Sequence, residues 1–507
     1  MKKPILKVGR NCWASSSVEH TGLLVDGRDY YSAFYHAAKK ARRYILLAGW
    51  QFDSGVPLLR GRDSRGIDGE VTLLAFLNKL CEKNRRLHVC LLAWDFNLFY
   101  LLKREFLQAW WFNWKSNERV QFRFDSSHPV GACHHQKFAV IDGTIAFVGG
   151  MDLCWGFWDD RQHRARHRYR INADKKCYMP RHDVHSYHTG PLAARLTHLF
   201  QRRWHEAGGQ QLKLSQGAPD PLSFLPTYPI PAHRVAVSRT VGKTIRPARA
   251  AISEIRRLYE DAIDAAEELI YIENQYFSSH AVSRALIKRM KALDRPRLRI
   301  VIILPRQPLD FIEEIGLGST QARLLRSLTR VAARTRHTLG IYNSRAAGKK
   351  HRQITYIHSK VMLVDDQFLT IGSANLSNRS MGFDTELNVS WQATGSNAQE
   401  IIESIRAIRV GLLAEHAGLR KASDVRRLAE TEGLVAYLNT LAEDRRYRLC
   451  HHRINTSVLS DMVTAMTPHE LIIDPKRSHL AERVHAFMIR NRKSLLAKGA
   501  AMLNTWL

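Results

Sequence analysis

His135-Gln136-Lys137 with Asp142, and His358-Ser359-Lys360 with Asp365, are two copies of one pattern, H-x-K-x-x-x-x-D, 223 residues apart. Each continues to a pair of small residues at the same offset, Gly149-Gly150 and Gly372-Ser373. Each runs through an apolar tetrad, Phe138-Ala139-Val140-Ile141 and Val361-Met362-Leu363-Val364. A chain carrying such a unit twice is expected to fold as two like halves. Residues two apart on a strand point the same way, so each His and its Lys share a face. Brought together, the two copies offer two imidazoles and two ammoniums around one point. That set suits a phosphodiester: one histidine attacks phosphorus, the other protonates the departing oxygen, and the lysines hold the charged oxygens.

The motifs belong to a longer repeat. A helix-like stretch, Asp29 to Arg43, precedes the apolar run Tyr44-Ile45-Leu46-Leu47, which ends at Trp50-Gln51. In the second half Ala251 to Leu269 precedes Ile270-Tyr271-Ile272, which ends at Asn274-Gln275. A further strand-like run follows in each, Leu87 to Trp94 and Leu298 to Pro305. A closing helix carries Leu192, Leu196, Leu199 and Phe200 on one face, and its counterpart Ile401, Ile405, Ile408 and Leu412. Alternating helices and apolar strands predict an α/β fold of two pseudo-symmetric lobes, each a mixed sheet flanked by helices. The period is too long for a solenoid. The expected division is a first lobe over 1–218, a Pro-rich linker over 219–232, a second lobe over 233–415 and a mainly helical extension over 416–507. In the extension Val425, Leu428, Leu434, Leu438 and Leu441 repeat at helical spacing, as do Leu480, Val484, Phe487 and Met488.

Seven cysteines without a C-x-x-C pair argue against a disulfide framework or a zinc site, and favour a reducing compartment. The stretch His163-Arg164-Ala165-Arg166-His167 invites a metal, but its arginines would repel a cation, so no metal and no cofactor are expected. No signal peptide and no run of about 18 apolar residues is visible, so the expected location is cytoplasmic, or exported without a cleavable signal. The formal charge of +30 attracts anionic membranes and nucleic acid alike. The run Phe106, Trp110, Trp111, Phe112 and Trp114 is read as packing on the first lobe in preference to an interfacial anchor.

The sequence resembles the phospholipase D superfamily, and within it the eukaryotic-type phospholipases D. The likeness covers most of residues 25 to 415. Besides the paired motifs it rests on Tyr271-Ile272-Glu273-Asn274-Gln275-Tyr276-Phe277, Gly149-Gly150-Met151-Asp152-Leu153, and Pro180-Arg181-His182-Asp183-Val184-His185 followed by Gly190-Pro191, Phe200 and Trp204. It rests also on Gly372-Ser373-Ala374-Asn375 through Arg379-Ser380-Met381 to Asp384-Thr385-Glu386-Leu387. The resemblance implies phospholipid head-group hydrolysis to phosphatidate, with transphosphatidylation when an alcohol replaces water. His135 would be the nucleophile and His358 the acid, then the base. Lys137 and Lys360 would bind phosphoryl oxygens, with Ser373 and Asn375 as weaker additions; Asp152 stands where the second half has Asn375. Glu386 is expected to orient His358 and Asp183 to orient His135, with Asp159 as a rival. Asp142 and Asp365, an odd number of residues past the lysines, are read as structural, bonding turn amides.

The partners expected are an anionic phospholipid surface, on which the protein is peripheral, and water or an alcohol as acceptor. Nucleic acid is a lesser partner, and no protein partner is required. Alternatives with the same chemistry are a nuclease and a cardiolipin-synthase-like transferase. Cardiolipin synthases usually carry an N-terminal membrane segment, which this sequence does not show. A non-catalytic membrane-binding protein is disfavoured by the two intact His and Lys pairs.

Overall fold

The computed structural model describes residues 4–95, 112–113, 116–218, 221–244, 248–306, 311–348, 353–454 and 474–475, with backbone alone over 311–317. Each motif builds one arm of a hairpin. Phe138–Ile141 pairs antiparallel with Ile145–Gly149, and Val361–Val364 with Phe368–Gly372. Both strands begin one residue after the lysine, so His and Lys lie in the segments leading into the strands. Both strands end one residue before the aspartate. Asp142 takes φ 51° and Asp365 φ 54°, the left-handed region that Asp enters more readily than most residues. The backbone N–H groups of Arg42, Arg43 and Tyr44 donate to the Asp142 carboxylate at 2.7–2.8 Å. Those of Glu267, Glu268 and Leu269 donate to Asp365 at 2.8–2.9 Å. Each motif aspartate therefore ties its hairpin turn to the start of the neighbouring strand.

Those neighbouring strands, Tyr44–Gly49 and Leu269–Glu273, run antiparallel to the hairpins and continue into parallel pairs. Tyr44–Gly49 pairs with His88–Trp94 and that with Val120–Asp125. Leu269–Glu273 pairs with Arg299–Ile303 and that with Thr338–Arg345. Parallel neighbours need a crossover, and the helices Leu73–Lys83 and His280–Lys291 supply it. The fold is thus α/β, with two mixed sheets flanked by helices, of eight and twelve strands among the described residues. Apolar side chains from both sheets, among them Leu46, Val140, Val148, Leu363, Ile371 and Val389, join one core. The helices Pro191–Glu206 and Ala398–Ala417 add Leu196, Phe200, Ile405 and Leu412 to it. Separate cores cover the remaining faces, one with Asp26–Ala38 and Leu73–Lys83, the other with Glu254–Ala265 and His280–Lys291.

The lobes trade strands, which the division of the sequence does not foresee. Ala14–Ser17 joins the second sheet against Arg234–Val241, and Arg181–His182 joins it against Ile354–Ile357. Tyr228–Pro229, inside the Pro-rich stretch, pairs with Thr21–Val25 of the first sheet. The extension contributes helices Ala422–Arg427 and Leu434–Glu443, and also a strand, Leu449–His451, on the second sheet. Leu480, Val484, Phe487 and Met488 lie outside the described residues, as do Phe106, Trp110, Trp111 and Trp114. Phe112 is buried and stacks on Phe122 with centroids 5.1 Å apart. Among the described residues no helix is long and apolar enough to cross a membrane.

Candidate active site

Backbone pairing across the lobes assembles the two motifs. The His135 N–H donates to Thr385 O at 2.8 Å, and the Thr385 N–H to Cys133 O at 2.9 Å. The His358 N–H donates to His182 O at 2.8 Å. Each motif therefore lies against a residue whose next neighbour is a carboxylate, and each carboxylate meets the histidine of the other lobe. His135 Nδ1 is 3.0 Å from Glu386 Oε2, and His358 Nδ1 is 2.5 Å from Asp183 Oδ2. This corrects the expected pairing of Glu386 with His358 and Asp183 with His135. The reason is the docking of each motif's leading segment on the opposite lobe, which places Thr385-Glu386 beside His135 and His182-Asp183 beside His358. Asp159 is not at His135 either: it holds His163 Nδ1 at 3.1 Å and Arg170 at 3.0 Å.

Both carboxylates are buried and themselves held. Glu386 accepts from Ser373 Oγ at 2.5 Å and Ser380 Oγ at 2.6 Å. Asp183 accepts from the Val184 N–H at 2.8 Å. The hydroxyl proton of Ser373 is thus spent on Glu386, and this residue supports the partner of His135 where a phosphoryl contact was expected. The small-residue pairs have a steric reason. A Cβ on Gly150 would lie 2.3 Å from Asp183 Oδ1, and one on Gly149 2.4 Å from the His185 ring. Among the described residues the side-chain oxygen of buried Asn375 has no hydrogen-bond partner.

The lysines differ in their partners. Lys137 Nζ is 3.1 Å from Asp152 Oδ2, whose other oxygen accepts from the Trp50 N–H at 2.9 Å. Lys360 Nζ donates to Gln275 Oε1 at 3.1 Å and to His358 O. Gln275 in turn donates to the hydroxyls of Tyr276 at 2.7 Å and Tyr356 at 2.9 Å. With a neutral partner, Lys360 bears its burial cost less compensated. Burial, opposed by Asp183 and aided by Lys137, lowers its pKa to about 7. Burial, then Lys360, Arg181, Lys137 and His135, holds His358 well below the usual histidine range. Burial raises Asp183 above the usual carboxylate range.

A second polar cluster underlies the site. Glu273 accepts from Ser359 Oγ at 2.6 Å and meets His182 Nε2 at 3.0 Å and His416 Nε2 at 2.9 Å. His182 Nδ1 lies 3.1 Å from Asp26 and 2.9 Å from Glu415, which also meets His163 Nε2 at 2.9 Å. The polar atoms of Asp26, His163, His182 and Glu415 fall within 4.8 Å of one another, and Asp26 Oδ2 lies 3.4 Å from His163 Nε2. Burial opposes the charge on His163, but Asp26, Asp159 and Glu415 outweigh it and raise its pKa to about 9, so this imidazole is a cation among its carboxylates. Arg164 and Arg166 are exposed while His163 is buried, and Arg161 and Arg170 reach the cluster, pairing with Glu415 at 2.5 Å and Asp159 at 3.0 Å. Asp26, Glu273, Glu415 and His416 carry no site signal in the sequence, because their partners lie far along the chain: Glu415 is 233 residues from His182, and Glu273 is 143 from His416. The matched offset of Gln51 and Gln275 was the one available sign that Gln275 faces the lysine.

The chain matches the family model "Cardiolipin synthase, PLD-like domain" over residues 259–408. It is 25% identical to phospholipase D alpha 1 of Oryza sativa subsp. japonica over 557 residues, covering 83% of this chain and 68% of the rice protein. It is 26% identical to phospholipase D A of Dictyostelium discoideum over 471 residues, covering 78% of this chain and 35% of that one. The crystal structure of phosphatidylserine synthase from Haemophilus influenzae Rd KW20 superposes with a TM-score of 0.52 at 13% identity, covering 85% of this chain and 94% of that one, which speaks for the fold. Two interlocked lobes, paired His and Lys at their seam and these relatives support the phospholipase D superfamily, eukaryotic-type branch, and indicate an enzyme of the phosphodiesterase or phosphatidyltransferase type.

Proposed function

We propose that this enzyme is a phospholipase D, cleaving the head-group phosphodiester of membrane phospholipids to give phosphatidate, and transferring the phosphatidyl group when an alcohol replaces water. The observation that carries the reading is the crossed pair of dyads, His135 with Glu386 and His358 with Asp183, beside Lys137 and Lys360. One histidine Nε2 attacks phosphorus. The other protonates the head-group oxygen, then takes a proton from water or alcohol as the phosphohistidine bond breaks. Lys137 and Lys360 neutralise the equatorial oxygens, and by resemblance Asn375 assists them. By resemblance His135 attacks. One observation favours the reverse: burial and neighbouring cations keep His358 neutral, leaving a lone pair on Nε2 while Nδ1 faces Asp183.

Phosphatidylcholine, phosphatidylethanolamine and single-stranded DNA, assayed side by side, test the substrate class. Release of choline or ethanolamine with phosphatidate is expected, and phosphatidylethanol should appear when ethanol is added. Cleavage of DNA with both lipids untouched would refute the proposal in favour of a nuclease. Cardiolipin formed from phosphatidylglycerol, without hydrolysis, would favour the transferase. The protein is read as peripheral on anionic membrane from the cytoplasmic side, drawn there by its positive charge.

A further inference from the structure

We propose that Arg181 recognises a second negative charge, a carboxylate or phosphate, on the departing head group or on the incoming alcohol; this rests on the phosphodiester chemistry just proposed. Arg181 stands opposite Tyr356 in the parallel pairing of Arg181–His182 with Ile354–Ile357, two residues before His358. Its guanidinium carbon lies 4.1 Å from the Phe157 ring centroid and 5.4 Å from that of Tyr356. The same two rings flank the His358 imidazole, Phe157 perpendicular at 5.1 Å and Tyr356 tilted at 6.4 Å. Arg181 and His358 therefore share their aromatic walls. Tyr356 is fixed by its hydrogen bond from Gln275, the residue that holds Lys360.

The guanidinium is charged but unspent. Its backbone N–H donates to Asp159, and among the described residues its side chain makes neither an ion pair nor a hydrogen bond. Other arginines of the molecule are matched: Arg161 to Glu415, Arg170 to Asp159, Arg203 to Asp125, Arg379 to Asp384 and Arg409 to Asp366. Aromatic faces stabilise a guanidinium without consuming its five donors. Such a group, half-buried beside the histidine that handles the leaving oxygen, suits bidentate capture of a planar or tetrahedral anion. Its charge already bears on His358 and Lys360, lowering both.

Phosphatidylserine and phosphatidylethanolamine share an ammonium and differ by one carboxylate, so short-chain forms of the two isolate the proposed contact. The ratio of their kcat/KM values is to be measured for wild type, Arg181→Lys and Arg181→Met. The serine-to-ethanolamine ratio is expected to fall about tenfold or more in Arg181→Met, the scale of a lost charge-assisted hydrogen bond, and less in Arg181→Lys. A second arm uses phosphatidylcholine as donor with serine or ethanolamine as acceptor. A fall in the first arm assigns the anion to the head group, and a fall in the second assigns it to the acceptor. Ratios unmoved in both arms overturn the proposal, whether the variants lose turnover equally on all substrates or lose none. Bis(p-nitrophenyl) phosphate, which has no second charge, separates the two levels. Wild type active on it with unmoved ratios refutes the role of Arg181 alone; wild type inactive on every diester refutes the underlying reading as well.

Discussion

A histidine that attacks or protonates phosphorus esters needs its ring plane and tautomer fixed, and here each is fixed from across the lobe seam. Glu386→Gln should therefore act on the step that His135 performs and Asp183→Asn on the step that His358 performs. With a p-nitrophenyl diester, whose leaving group needs little protonation, Asp183→Asn is expected to lose much less than with phosphatidylcholine, whereas Glu386→Gln should lose about a hundredfold or more with both. The opposite pattern would exchange the two roles. Lys360 supplies a pH dependence. Its ammonium is lost as pH rises through about 7, so kcat/KM, which reports the free enzyme, should fall above that pH. Lys360→Arg should flatten this limb; an unchanged profile would mean another group titrates there. The sign for stability follows from a folded pKa below the unfolded one. The cost of burying the charge is full below about 7 and fades as pH rises toward the ordinary lysine value, so Lys360→Met should raise Tm more at pH 6 than at pH 9. The His and Lys pairs, and both carboxylates, were legible as residues. Which carboxylate meets which histidine was not, because sequence separation carries no information on which lobe's segment docks on which.

At the level of elements, repetition made the sheets legible: hairpin, antiparallel neighbour and parallel continuation recur in both halves in the same arrangement. The strands that interlock the lobes were hidden because they are short. Ala14–Ser17 and Arg181–His182 have four and two residues, too few for a period to register. Two element-scale changes test how the site is held. Gly150→Ala places a methyl group against Asp183 Oδ1, so it should lower activity at least tenfold and lower Tm. Gly318→Ala, whose methyl group meets nothing within 4 Å among the described residues, should leave activity alone and stabilise the helix Phe311–Thr335 by up to about 1 kcal/mol. Asp474 ties the extension to the site. It accepts from the Asn378 and Arg379 N–H groups at 3.0 and 2.8 Å and from Ser278 Oγ at 2.7 Å. That secures the short helix Asn378–Gly382, from which Ser380 reaches Glu386. Asp474→Ala should cost about 1 kcal/mol of stability and lower kcat with KM little changed. A change in KM alone would detach the extension from the His135 dyad.

Across the whole molecule, the crossed dyads mean that neither lobe holds both members of either pair, so the proposed chemistry depends on the interlocking of the fold. The formal charge of +30 acts at the same scale. Binding to vesicles containing phosphatidylglycerol should exceed binding to neutral vesicles and weaken as the Debye length shrinks from about 10 Å at 0.1 M salt to about 3 Å at 1 M. Equal, salt-insensitive binding to both would mean that apolar insertion dominates. The central claim is a covalent phosphohistidine formed by one member of the pair and released by the other. It is tested most directly by rapid quench of a p-nitrophenyl phosphodiester with His358→Ala, followed by mass spectrometric mapping of the phosphoryl group. The account predicts an adduct on His135 that persists, because the base for its hydrolysis is gone. An adduct on His358 in the complementary His135→Ala variant, with none on His135, would reverse the roles. No adduct in either variant, with single inversion at phosphorus in wild type, would contradict the two-step mechanism itself.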